Sequence, residues 1–457
     1  MSVTTNTVDP VDERLPIGKL FMLGLQHVLV MYAGAVAVPL IIGGALGLPK
    51  DQIAFLISAD LMCCGIATLI QSVGVGRFGI RMPVIMAVTF AAVGPMLAIG
   101  TNPSLGLPGI FGATIASGII GTLIAPLVGK LLRFFPPIVT GIVITSIGLT
   151  IIGVGINWAA GGVGNPDYGD PVYLGVSFAV LIFILLITRF VKGFFSNIAV
   201  LLGILFGFGI ALLLHKVNFD GLDQVKWFDV VLPFHFGMPV FDPWAIVTLT
   251  IVILITFIES TGMFLALGEI VGKPVDEKAL VAGLRVDGVA TVIGGLFNTF
   301  PHTSFSQNIG LVGVTGVKSR WVCASAGVIL LVFGLIPKMS VVVASIPQFV
   351  LGGAGVVMFG MVLATGIKIL SKVDYSHNRY NLYIVAISIG MAMIPVASNK
   401  FFAKMPEQLA PLLHSGILLA TLSAVILNAY FNGFKAPVTH GNGHGEKNGS
   451  GMGLEAH

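Results

Sequence analysis

The sequence predicts an all-α polytopic membrane protein with about fourteen transmembrane segments, counting runs near the ~20 residues that cross ~30 Å of hydrocarbon as a helix. Three observations carry this. Of 457 residues, 56% are hydrophobic and only 10% are charged, far below the ~25% charged residues of a soluble domain. Mean hydropathy is +0.99. Apolar runs recur from Leu20 to Phe431, and the shorter or interrupted ones read as discontinuous spans.

At the N-terminus, "MSVTTNTVDPVDERLPIGKL" has no basic region leading into an apolar one. No cleaved signal is therefore expected, residues 1–17 read as a cytoplasmic tail, and the first span doubles as the insertion signal. With loops assigned to alternate sides, Lys50, Lys216, Lys226, Lys338, Lys400 and Lys404 fall outside, and the other eighteen of the 24 Lys and Arg fall inside. That asymmetry is the positive-inside signature of a multi-pass protein of the inner (plasma) membrane, in contact with lipid and with both termini cytoplasmic. It also accounts for the pI of about 8.9. The basic residues sit singly between spans, with no stripe for nucleic acid. The Gly-rich end, Gly441 to His457, has no apolar face, so residues 435–457 are expected to be a disordered tail with solvated histidines. Cys63, Cys64 and Cys323 lie in apolar runs without metal-finger spacing and read as small buried hydrophobes.

Two segments break the helical pattern. In "RMPVIMAVTFAAVGPM", Arg81 to Met96, Pro83 opens a strand-like run that closes at Gly94-Pro95. In "FPHTSFSQNIGLVGVTGVKSR", Phe300 to Arg320, Pro301 opens a polar run and Gly310 marks the break. Thr89-Phe90 and Ser304-Phe305 lie 215 positions apart, close to half the apolar length. This predicts an internal duplication with short strand-like breaks in segments 3 and 10, and an odd number of spans per half inverts one half relative to the other. Irregular backbone is tolerated at membrane depth only where protein or a water-filled cavity satisfies it. Paired broken segments therefore point to a transporter's midplane site. The plainer alternative is a pair of helices kinked by Pro and Gly.

Of the 20 acidic residues, only Asp60, Glu259 and Asp287 fall well inside spans, where a charge costs at least ~2.5–3.5 kcal/mol. Glu259, in "LITFIESTGMFLALG", needs donors that a substrate supplies. Asp287, in "LVAGLRVDGVATVIGG", either carries a proton or pairs with hydroxyl and backbone donors to hold the broken segment. Asp60, in "FLISADLMCCG", lies nearer the outer surface. His27, beside Gln26, is either a hydrogen-bonded structural residue or a titrating group. The Gln307 carboxamide matches a planar ring presenting C=O beside N–H, and Glu259 accepts from adjacent ring N–H groups. Phe90 stacks on that ring or packs in the core, while free backbone N–H groups near Ala91 and Ser306 meet exocyclic oxygens. Such a set suits a flat, oxygen-rich purine or pyrimidine. No His, Asp or Glu cluster in the spans has metal spacing and no nucleophile motif is evident, so neither an enzyme nor a metal or cofactor is expected.

"QNIGLVGVTG", Gln307 to Gly316, resembles the signature of the nucleobase/ascorbate transporter family, Gln-Asn-x-Gly-x-x-x-x-Thr followed by a basic residue or Gly. Gln26-His27, Thr89-Phe90, the Glu259 of "IESTG" and the Asp287 of "VDG" extend the resemblance over essentially the whole membrane portion. It implies two inverted repeats of seven spans. A core domain would comprise spans 1–4 (residues 18–134) and 8–11 (241–343), and a gate domain spans 5–7 (135–240) and 12–14 (344–434). It further implies a homodimer and uptake driven by protons through movement of core against gate. Glu259 and Gln307 would be direct substrate ligands and Phe90 would stack. Asp287 and Asn308 would shape and energise the site, with His27 and Thr89 tuning affinity. One departure is Met263, four residues after Glu259, at a site position where xanthine carriers of this family commonly have Asp and uracil carriers His. "ESTG", Gln307 and Thr89 are most similar to the bacterial urate/xanthine branch. Urate and xanthine are thus the expected substrates, against a uracil or broader nucleobase carrier, or an anion transporter of similar fold.

Overall fold

The computed structural model describes residues 9–219, 222–398 and 400–433; the expected disordered tail lies outside the described residues. The main helices are α1 Ile17–Ala45, α2 Lys50–Val73, α3 Val93–Gly100, α4 Gly106–Ile124, α5 Pro137–Ala159, α6 Pro171–Phe190 and α7 Ala199–Leu213. They continue with α8 Pro243–Val271, α9 Glu277–Leu296, α10 Ser306–Thr315, α11 Arg320–Gly334, α12 Gln348–Leu370, α13 Tyr380–Ala397 and α14 Gly416–Asn432. Two short strands, β1 Met86–Val88 and β2 His302–Ser304, interrupt them. Among the described residues nine helices are long and apolar enough to cross a membrane, and α11 with the short helix Pro337–Ala344 forms a further pair bent by 80°. The other expected spans are the short helices α7 and α14 and the two strand-led pieces, so the total of about fourteen depends on how these are counted. Leu174, Phe178, Leu185 and Phe190 of α6, with Leu382, Tyr383 and Ile387 of α13, are exposed. Apolar faces of that extent fit lipid rather than water.

Helix starts follow local chemistry. Asp170 and Asp242 each precede a proline at the first helical position and accept a backbone N–H, from Val172 and Ala245 respectively, both at 2.8 Å. Asp276 does the same for α9 through Ala279. Each bond satisfies a donor that the helix start leaves orphaned, and proline has none there to lose.

The helix contacts repeat under a shift of seven labels. α2 packs on α11 as α9 packs on α4, and α1 on α11 as α8 on α4. Likewise α6 packs on α12 as α13 does on α5, and α6 on α7 as α13 on α14, while α5 and α12 pair with each other. This is the pattern that an inverted duplication produces. Small residues permit the closest crossings. A Cβ on Gly65 would lie 2.7 Å from the Gly327 carbonyl oxygen, and one on Gly118 would lie 2.7 Å from the Gly288 carbonyl oxygen.

At the centre β1 and β2 pair antiparallel, with Met86 opposite Ser304, Ala87 opposite Thr303 and Val88 opposite His302. The ribbon is extended by Thr89 N–H to the Pro301 carbonyl and Phe305 N–H to the Ile85 carbonyl, both 2.9 Å. Its outer edges would be unsatisfied in hydrocarbon. Thr68 of α2 accepts the Met86 N–H at 2.9 Å and Thr291 of α9 accepts the His302 N–H at 3.2 Å, closing both edges in the same way. Two expected break points move. Gly310 lies inside α10, and the first break ends at Val93, so Gly94-Pro95 begins α3. Pro95 sits in the first turn, where a missing N–H costs nothing.

At one end of the molecule Arg320 bonds Asp12 at 2.5 Å and caps α2 through the Ser72 and Val73 carbonyls. Lys318 reaches the Val271 carbonyl at the end of α8. The charge alternation had assigned these basic residues to one side, and the packing puts them at one end.

Candidate functional site

The strand crossing makes two helix starts face a common, narrow cleft of about 50 Å³. Thr89, Phe90 and Ala91 line it from the first broken segment, Thr303 to Gln307 from the second, and Glu259 from the middle of α8. Ile144 and Ile147 of α5 and Val362 of α12 close the opposite, apolar wall. Among the described residues Glu259 is half-buried and has no hydrogen bond or ion pair. Gln307 is exposed and accepts the Ser306 hydroxyl at 3.1 Å, leaving its amide NH2 unengaged. Phe90 is half-buried, its ring edge-on to Phe359 at 5.8 Å between centroids. α10 begins without a side-chain cap, so its first N–H groups are open to a ligand. The Ala91 N–H, expected to be free, instead donates to the Thr89 hydroxyl at 3.2 Å.

Behind this wall lies a polar network. Ser260 donates to Asp287 at 2.5 Å and lies 3.0 Å from the Thr303 hydroxyl, while Ser304 donates to the other Asp287 oxygen at 3.4 Å. Gln71 of α2 donates to Ser304 at 3.4 Å and to the Gly283 carbonyl at 3.2 Å. Asp287 thus touches the residues next to Glu259 and within β2 but does not line the cleft. These contacts pair Asp287 with hydroxyl donors. Asn308 uses its NH2 to bind both Nδ1 and the carbonyl of His27, at 2.9 and 3.0 Å, which ties the start of α10 to α1. Gln26 and Met263 are not on the cleft wall, and Met263 is buried.

A sequence model of the "Permease family" matches residues 18–401. The chain belongs to this permease family. The uric acid transporter UacT of Escherichia coli (strain K12) is 68% identical over 428 residues, covering 93% of this chain and 89% of that one. The xanthine permease of Bacillus subtilis (strain 168) is 45% identical over 421 residues, covering 92% and 95%. These relatives are transporters, not enzymes. Among solved structures, the transmembrane domain of the cyanobacterium bicarbonate transporter BicA superposes with TM-score 0.59 at 15% identity, over 91% of this chain and 99% of that one. The murine Slc26a9 anion transporter in its inward-facing state gives 0.59 at 12%, over 92% and 69%. At such identity the likeness is one of fold.

Sequence reasoning named most of this permease's polar wall, because a carboxylate or carboxamide in an apolar run is conspicuous. It missed Ile144, Ile147 and Val362, which are indistinguishable from their lipid-facing neighbours until the fold turns them inward. Thr303, Ser304 and Phe305 sat within the segment already singled out. The permease also brings together a group that sequence spacing did not suggest: donor atoms of Asp60, Cys64 and His302 lie within 4.8 Å of one another and are buried. Cys64 is therefore not only a small hydrophobe, since its thiol lies 3.7 Å from the Asp60 carboxylate.

Proposed function

We propose that this permease is a proton-coupled symporter that imports oxidised purine nucleobases, urate first and xanthine second. The observation that carries the reading is the unpartnered Glu259 carboxylate beside Gln307 and Phe90 in the cleft. Two adjacent N–H groups of a purine supply the donors Glu259 lacks. The free Gln307 carboxamide NH2 pairs with an exocyclic carbonyl oxygen, and Phe90 offers a ring face or edge. The names of the 68% identical and 45% identical relatives support the same substrate class. A bare inorganic anion offers Glu259 no pair of ring N–H donors to offset the like charge, which disfavours the anion-transporter alternative despite the shared fold.

Coupling to protons rests on two acids, half-buried Glu259 at the cleft and buried Asp287 behind it, linked through adjacent Ser260. Transport follows from the two unlike walls. The polar wall belongs to the packing group α1–α4 with α8–α11, proposed as the core domain, and the apolar wall to α5–α7 with α12–α14, proposed as the gate. Apolar side chains make no directional bonds, so the polar group can slide past them with its ligand. Exposed residues run from the cleft along α8 (Gly262, Leu265, Ala266, Glu269) and α10 (Gly310, Gly313, Val314) toward the Lys273 and Lys318 end. This path reads as the inward-facing exit. The test is uptake of labelled xanthine and urate in cells lacking their own carriers, competed by urate, xanthine, uracil, guanine and hypoxanthine. Urate and xanthine should compete best, and collapsing the pH gradient should abolish accumulation. Preferential competition by uracil, or dependence on sodium, refutes the assignment.

A further inference from the structure

Beside the end of α2 that Arg320 caps, a second cavity of about 630 Å³ opens, a size typical of small-molecule sites and far larger than the cleft. Arg77 and Arg81 line it from the loop after α2, and Lys278 and Arg285 line it from α9, against one carboxylate, Glu277. Among the described residues Arg77, Lys278 and Arg285 have no hydrogen bond, ion pair or ring contact. The Arg81 side chain reaches only the Gly76 carbonyl, at 3.4 Å. Arg285 is half-buried. The positive-inside asymmetry requires cations on this side of the membrane but not that four of them share one hollow. Placed together without counter-charge, they repel one another.

The loop that carries two of these cations is firmly held. Val75 and Phe78 exchange backbone hydrogen bonds at 2.8 and 3.0 Å, which puts Gly76 and Arg77 at the tip of a tight turn. The Gly79 N–H then donates to the Ala282 carbonyl of α9 at 2.9 Å, and the Arg81 N–H to the Gln71 carbonyl of α2 at 3.0 Å. Arg81 takes φ +58°, a conformation uncommon outside glycine, and its side chain lies across Gly74, where a Cβ would have no room. The loop belongs to the first of the two repeated halves and α9 to the second, so the hollow lies on the seam between them.

We propose that this cavity binds the phosphate group of an anionic ligand, which bridges the two halves of the polar packing group at their common end. The guanidinium forks of Arg77, Arg81 and Arg285 match phosphate oxygens, and Lys278 adds a compact charge. Pro126, in the turn after α4, forms part of the lining. Its neighbours Leu123 and Leu127 are 71% and 48% exposed, so the mouth opens where hydrocarbon gives way to headgroups. A basic pocket between membrane helices suits an anionic phospholipid, and a soluble phosphate ester presents the same group. The site is separate from the cleft and independent of the purine reading.

The experiment measures binding, not transport, on the purified full-length protein in detergent. Native mass spectrometry counts retained phosphatidylglycerol against phosphatidylcholine, and calorimetry titrates inorganic phosphate and AMP. Saturable binding of phosphatidylglycerol alone identifies a lipid source, and binding of phosphate or AMP a soluble one. In either case Arg77→Gln with Lys278→Gln should weaken binding about tenfold or more. The control pair Arg189→Gln with Lys192→Gln removes the same charge away from the cavity and should change binding less than about twofold at ~0.15 M salt. Absence of saturable binding by every anionic probe overturns the site. So does equal retention of phosphatidylcholine, or an equal loss in both double variants, since either would mean that no phosphate is recognised in this cavity. If the pocket double variant does not fold, Arg77→Gln and Arg285→Gln singly should each weaken binding about threefold or more, and parental binding in both would refute the proposal.

Discussion

Replacing Glu259 by Gln is the sharpest test of the cleft. The side chain keeps its length and one acceptor oxygen, loses its charge, and presents an NH2 where an oxygen stood. Among the described residues the Glu259 side chain has no hydrogen-bond or ion-pair partner, so no such bond is broken by the change. The expected loss is therefore that of substrate bonds. A hydrogen bond to a charged group contributes ~1.5–3 kcal/mol, which at 1.4 kcal/mol per decade is a weakening of about 10- to 150-fold for the first ring N–H. The second ring N–H then faces the new NH2, donor against donor, and uptake should fall below detection. The assay is the initial rate of labelled urate entry over a concentration series, with membrane levels of variant and parent matched by immunoblot. Parental KM and rate in Glu259→Gln would remove this residue from the site and, with it, the main support for a purine ligand.

Gln307→Glu exchanges a group that both donates and accepts for one that only accepts, so the order in which nucleobases compete should change; an unaltered competition profile would count against direct contact. Gly288→Ala should lower stability by ~1–3 kcal/mol through overpacking, since its Cβ would lie 2.7 Å from the Thr122 backbone nitrogen and 2.9 Å from the Gly118 carbonyl oxygen. A fluorescence-detected thermal shift in detergent checks this, and an unchanged melting temperature contradicts the close crossing. At the N-terminal segment, the Val11 N–H and then Lys273 hold the Asp9 carboxyl below its ordinary range. A group with a lowered folded pKa stabilises above its unfolded value and loses that contribution as pH falls through the folded one. Trypsin cleavage after Arg14 should therefore quicken in acid relative to a peptide control. Asp9→Asn should quicken it at neutral pH and reduce the acid dependence, by no more than ~1 kcal/mol for so exposed a pair.

Composition and local order were enough to predict a helical multi-pass protein, because crossing hydrocarbon demands long apolar runs whose backbone bonds close within each run. Asp170-Pro171 and Asp242-Pro243 mark helix starts for an equally local reason. Glu259 and Gln307 stood out because polar groups at that depth are costly. The extent of each break was less legible: Gly310 is tolerated inside α10, where nothing crowds it, so its presence did not end the helix. What only the tertiary structure decided are the encounters between distant residues. These are the threonines Thr68 and Thr291 that close the strand edges, the glycine crossings Gly65–Gly327 and Gly118–Gly288, the apolar wall of Ile144, Ile147 and Val362, and the meeting of Asp60 with His302. Helical periodicity says which side chains share a face, but not which other face they meet. That is settled when two inverted halves pack, and in a chain this uniformly apolar many alternative faces look alike until they do.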